Sequence, residues 1–180
     1  MTETIPVAIV SAVSGLLGVA VGTCVPLVRE WFADRKRRAY AAIRAVCVLD
    51  KFIVDCASSV GQEDSGDDLP VSSWPESLSY PDDIDWRLLD SALTYRALAL
   101  PNRVAAAANA VAFIKEVAST ERDPQHLTTV SVRYVPLGIE AADLARELRQ
   151  SYGLPEKTRD DWEPVEFLQK KARRIAKREP

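Results

Sequence analysis

The first long apolar run in the chain is IPVAIVSAVSGLLGVAVGTCVPLV, residues 5–28, in which none of 24 positions is charged. A bilayer's hydrocarbon core is about 30 Å thick and a helix rises about 1.5 Å per residue, so about 20 apolar residues suffice to cross it. Lipid offers peptide groups no hydrogen-bond partner, which makes a crossing segment helical. Pro6 falls in the first turn, where a missing N–H costs little, and Pro26 falls near the far end, where it can kink the helix. The pattern predicts a transmembrane helix at 5–28, preceded by a short extracytoplasmic N-terminus at 1–4. A buried core helix rarely runs this long without a charge. A cleaved secretory signal wants a positive leader, and MTETIP has Glu3 and no Lys or Arg. Val21-Gly22-Thr23-Cys24 looks like a lipoprotein cleavage box, but Thr23 fits poorly before the cysteine.

Beyond the span the apolar positions become periodic. Ile43, Val46, Leu49, Ile53, Cys56 and Val60 recur at helical spacing and predict a juxtamembrane and first bundle helix over 29–60. The membrane helix can continue directly into it. Residues 61–84, rich in Gly, Ser, Pro and acid, predict a loop whose second half packs through Trp74, Leu78 and Tyr80. Its acids Glu63, Asp64, Asp67 and Asp68 lack the spacing of a calcium loop.

A second helix should start at Asp83 or Asp85, either of which can cap it. Its inner stripe reads Trp86, Leu89, Leu93, Ala97 and Leu100, and Pro101 should kink or interrupt it before Val104, Ala107 or Ala108, Val111, Ile114 and Ala118. Asp123-Pro124 signals the next start. The stripe Leu127, Val130, Tyr134, Leu137, Ala141, Leu144, Leu148 has the most regular 3-4 spacing in the chain and suits a bundle contact. Pro136 should bend or divide that helix, and Gly153 with Pro155 should end it. Within it, TTVSVRYV is β-branched but has no pairing partner, so it too is assigned to helix. The bundle core thus spans 85–153. Residues 154–180 form a linker and a basic C-terminal helix carrying Val165, Leu168, Ala172 and Ile175. The expected fold is all-α: one N-terminal transmembrane helix running on into a cytoplasmic bundle of about four to five helices.

Charge orients this arrangement. The net charge of −3 says little, but its distribution is uneven. Residues 29–44 carry six positive and two negative charges, 61–90 carry nine negative and one positive, and 170–180 carry six positive and one negative. The first Lys or Arg is Arg29, so the positive-inside rule places the N-terminus outside and the following domain in the cytoplasm, on the cell (inner) membrane. Trp31 and Phe32 fall at headgroup level, where aromatic rings are favoured. Arg outnumbers Lys by 16 to 7 and Ala is abundant, a composition common in high-GC bacteria.

Two sets of residues carry a physical mechanism. Ala8, Ser11, Gly15, Gly18 and Gly22 form a stripe of small residues that lets two membrane helices approach closely, and Ser14, Gly18 and Gly22 form a small-xxx-small run. The other set is cationic. Arg35, Lys36, Arg37 and Arg38 sweep round one helical turn beside the anionic inner leaflet, where each charge is worth about 1 kcal/mol. Lys170, Lys171, Arg173 and Arg174 on the last helix could meet the same leaflet, compete for the acidic loop, or form an ordinary solvated face.

Signs of catalysis are sparse. The single histidine, His126, sits in the first turn of a helix, where an exposed polar role is commonest. No G-x-S-x-G elbow or glycine-rich phosphate loop occurs, and no cofactor or metal is implied. Asp82, Asp83, Asp85, Asp160, Asp161 and Glu163 read as helix-end charges. Cys47 and Cys56, nine residues apart, fall on opposite helix faces and can neither pair nor share a metal. The favoured function is therefore a single-pass membrane-anchored protein. Its helical domain would bind an unidentified protein partner or a second copy of itself, through the span or through the Leu127–Leu148 stripe. The alternative is a membrane-tethered enzyme or effector whose site has no sequence motif. Nucleic-acid binding is disfavoured by the overall acidity and the lack of aromatics in 170–180.

Overall fold

The computed structural model describes residues 4–65, 75, 77–117, 124–157 and 162–177, with backbone alone at 4–28, 62–65, 115, 117 and 124–129. Among them it contains four α-helices and no strand: α1 (Thr4–Ser65), α2 (Ser91–Val117), α3 (Pro124–Tyr152) and α4 (Pro164–Ala176). A single 3-10 turn, Trp86–Leu88, precedes α2. The chain divides into two compact units, Met1–Arg38 and Ala39–Pro180, and α1 contributes to both.

In the larger unit the core begins abruptly. Every described side chain from Arg29 to Arg38 is exposed, whereas Ala41, Ala42, Ala45, Val46, Leu49 and Phe52 are buried. The expected stripe on α1 is corrected at one end: Ile43 is 42% exposed, and alanines 41, 42 and 45 take the inner face. Further along, Ile53, Cys56 and Val60 are buried as their spacing predicts, and Cys47 is exposed on the opposite side from Cys56. Burial pushes the Cys56 thiol and the Tyr80 phenol well above their ordinary pKa ranges.

Helix α2 starts later than the acid pair suggests. Asp85 caps only the 3-10 turn, its carboxylate accepting from the Arg87 N–H at 3.2 Å. Asp90 caps α2, accepting from the N–H groups of Ala92 (2.9 Å) and Leu93 (3.1 Å). The Asp90 N–H in turn donates to the Tyr152 hydroxyl at 2.6 Å, tying the start of α2 to the end of α3. Pro101 and Pro136 lie inside α2 and α3 without interrupting either. Buried residues flank both prolines, Leu100 and Val104 at the first and Val135 and Leu137 at the second, so packing holds the helix on each side of the lost hydrogen bond.

Helix α3 is the central element and packs against both α2 and α4. Its predicted stripe is buried from Val130 through Tyr134, Leu137, Ala141, Leu144 and Leu148. Leu127 lies outside the described side chains. TTVSVRYV is helical, as expected. The helix ends in a Schellman turn: Gly153 takes φ 64°, and the Leu154 N–H donates to the Arg149 carbonyl at 2.9 Å. Leu154 then packs on the core. In the segment before α2, Leu78 and Ile84 are buried, Tyr80 meets Trp86 edge-on at 5.1 Å, and the Tyr134 hydroxyl donates to the Pro75 carbonyl at 2.9 Å. Trp74 lies outside the described residues.

Helix α4 closes the unit. Pro164 and Leu168 are buried, and Val165, Phe167, Ala172 and Ile175 pack partly against the core. Gly138 marks a close crossing. A methyl group there would come within 2.7 Å of Leu168 Cδ1 and 3.1 Å of Cys56 Cβ, so α1, α3 and α4 meet where α3 has no side chain.

Candidate functional site

The basic turn after the expected span is fully presented. Arg35, Lys36, Arg37 and Arg38 are all exposed, consistent with four charges that no single protein face could bury together. Arg37 pairs loosely with Asp34 at 3.8 Å, and the Arg35 guanidinium lies 5.8 Å from the Trp31 ring centre, within cation–π range. Trp31 and Phe32 meet edge-on at 5.0 Å and are 59% and 51% exposed. Two adjacent aromatic rings this exposed, followed by four cations, form an amphipathic collar around α1. Arg44, the last cation of this run, is turned to another use: it pairs with Asp83 at 3.1 Å and fastens the acidic segment to α1.

On α4, Lys170, Arg173 and Arg174 are exposed and Lys171 is half-buried. Lys170 stands 3.9 Å from Glu166 one turn earlier, and Lys171 and Arg174 are each engaged in interactions of their own. The acidic-loop alternative for these cations meets a different arrangement in the described part of that loop: Asp83 pairs with Arg44 and Asp85 with Arg87. The small-residue stripe Ala8, Ser11, Gly15, Gly18 and Gly22 lies on helical backbone of α1, with its side chains outside the described residues. His126 is in the first turn of α3 on the same terms.

Three of the described ion pairs link one helix to another within the helical domain. Arg149 on α3 pairs with Asp50 on α1 at 2.5 Å, both side chains mostly buried. Arg96 on α2 pairs with Glu147 at 2.5 Å, a hydrogen bond that raises the Arg96 pKa further, and Arg103 on α2 pairs with Glu140. Among the described residues no group of three or more His, Cys, Asp or Glu gathers to hold a metal ion.

One exposed surface lies outside the predicted stripes and basic clusters. Tyr95, Leu98 and Phe113 on α2 are 75%, 47% and 65% exposed. The stretch Ser91–Ile114 is long and apolar enough to cross a membrane by length and composition alone, yet only six of its 24 residues are buried. Its inner face, from Leu93 to Val111, belongs to the core, so the unpartnered apolar area is the outer one. Alanine and other apolar residues fall on both the inner and the outer face of α2, which weakens the inside–outside contrast. Conversely, the 130–148 stripe of α3 is consumed inside the domain and is not an exposed face. Compared with known proteins, the chain matches no family model, no curated protein and no solved structure.

Proposed function

We propose that this chain is a single-pass membrane-anchored protein whose helical domain, held at the cytoplasmic face of the cell membrane, serves association with a second copy or another protein. The observation that carries this reading is the character of α1. Twenty-four uncharged residues at 5–28 lead into ten consecutive exposed positions, Arg29–Arg38, and only then does the same helix enter a protein core. An aromatic pair followed by four cations is the side-chain order favoured where a helix leaves hydrocarbon for an anionic headgroup layer. In this reading Arg35, Lys36, Arg37 and Arg38 contact anionic lipid, Lys170, Lys171, Arg173 and Arg174 offer a second cationic contact, and Ala8, Ser11, Gly15, Gly18 and Gly22 allow close helix approach within the bilayer. The domain contributes interhelical ion pairs and a closed core to this reading.

The test is alkaline carbonate extraction of membranes from cells expressing the full chain and the variant Leu17→Arg/Val19→Arg. Each mid-span arginine costs about 2.5–3.5 kcal/mol of insertion. The native chain should pellet with the membranes and the variant should move to the supernatant. Release of the native chain by carbonate would refute the anchoring.

A further inference from the structure

The outer face of α2 carries a second stripe with a regular repeat. Tyr95, Leu98, Asn102, Ala105, Asn109 and Ala112 follow one another at alternating spacings of three and four, and all six are exposed. Ser91 extends the stripe at one end and Glu116 at the other, both also exposed. This is the seam spacing of paired helices, lying opposite the face that packs into the core. The only charges between Ser91 and Ile114 are Arg96 and Arg103, and both are folded onto α3 through Glu147 and Glu140. No charge on the stripe itself therefore interrupts it before Glu116.

We infer that this face pairs with the same face of a second copy, antiparallel, about a two-fold axis between Asn102 and Ala105. The order of side-chain sizes selects both the partner and the direction. The large residues Tyr95 and Leu98 lie in the first half, and the small residues Ala105 and Ala112 lie in the second. Antiparallel pairing sets Tyr95 against Ala112, Leu98 against Asn109 and Asn102 against Ala105 of the other copy. Phe113 falls beside the opposite Tyr95, and the Ser91 hydroxyl meets the opposite Glu116. Parallel pairing would stack the large residues at one end and leave a gap at the other. The alanines permit an interaxial distance at the short end of the usual 8–10 Å. The amides of Asn102 come together near the axis, where a polar seam residue fixes register.

The size of the contact sets where it operates. From Tyr95 to Phe113 the helix is about 27 Å long, and a stripe about 10 Å wide gives on the order of 300 Å² per copy. A stable free dimer buries about 800 Å² per copy. The pairing is therefore weak between dilute chains and takes hold when copies are concentrated on one membrane, so it rests on the anchored reading proposed above.

Cysteine crosslinking of the full chain in its membranes tests the arrangement, in a Cys24→Ser/Cys47→Ser background. In isolated membranes treated with copper phenanthroline as oxidant, Ala105→Cys alone should form disulfide-linked dimers. Ala112→Cys alone, about 25 Å from its own counterpart, should crosslink at least tenfold more slowly, because a disulfide needs Cα atoms within about 7 Å. Tyr95→Cys co-expressed with Ala112→Cys should give the mixed dimer. Equal crosslinking at Ala105→Cys and Ala112→Cys overturns the antiparallel register. Absence of crosslinking at Ala105→Cys in chain retained by carbonate-washed membranes overturns the surface and leaves anchoring intact. Labelling of this face by a lipid-phase photoprobe assigns it to the bilayer and overturns the dimer. Failure of the anchored reading registers separately, as native chain in the carbonate supernatant.

Discussion

Gly138 shows how much one missing side chain can specify. It sits mid-helix, where glycine costs about 1 kcal/mol relative to alanine, and its reason lies in another part of the chain. Leu168 of α4 and Cys56 of α1 occupy the space a Cβ would enter. Leu168 Cδ1 is a movable tip, whereas Cys56 Cβ is fixed to its backbone. Gly138→Ala therefore gains helix propensity against a modest clash and should change stability by under about 1 kcal/mol. Gly138→Val adds two further carbons and should lower it by about 2 kcal/mol, in the range for overpacked cores. Urea denaturation followed by circular dichroism measures both, and an unchanged midpoint for Gly138→Val would mean that α4 does not seat there. Local spacing marks Gly138 only as a glycine inside a helical pattern. Its meaning depends on a crossing between residues thirty and eighty positions away. Ile43 is unreadable for a related reason: it fits a 3-4 repeat, but alanines 41, 42 and 45 face inward instead.

The regular helices were legible, and their ends less so. The 130–148 stripe of α3 is the clearest case, because large apolar residues alternate with polar ones at strict spacing and leave one choice of face. Gly153 and Leu154 end that helix through a local turn, which glycine's tolerance of positive φ makes readable. The start of α2 is less readable: Asp83 and Asp85 are placed to cap it, yet Asp90, a few residues later, is the acid that does. The 3-10 turn at Trp86–Leu88 and the Tyr152 hydroxyl beside the Asp90 N–H settle the choice, and both are properties of the folded unit. Asp90→Ala removes two N-terminal hydrogen bonds from α2 and should cost about 1 kcal/mol. Asp83→Ala, which loses only the exposed ion pair with Arg44, should cost no more than about 0.5 kcal/mol. The same denaturation assay ranks the two. A larger loss at Asp83 would reassign the cap.

At the scale of the molecule, α1 joins two chemical environments in one helix. Its first part is uncharged, its collar is aromatic and cationic, and its last part is a core element whose Asp50 pairs with Arg149. This change along a single element is what sequence patterning conveys best, since charge and apolarity are written residue by residue. The exposed outer face of α2 is less legible, because alanine is compatible with either side of a helix. The central claim is that residues 5–28 anchor the domain with its larger part in the cytoplasm, and Cys47, exposed on α1, reports on it directly. The decisive measurement is labelling of Cys47 by a membrane-impermeant maleimide in intact cells and in inside-out vesicles, using a Cys24→Ser chain. The account predicts labelling in the vesicles alone, on chain that stays with carbonate-washed membranes. Labelling of Cys47 from outside intact cells would contradict it.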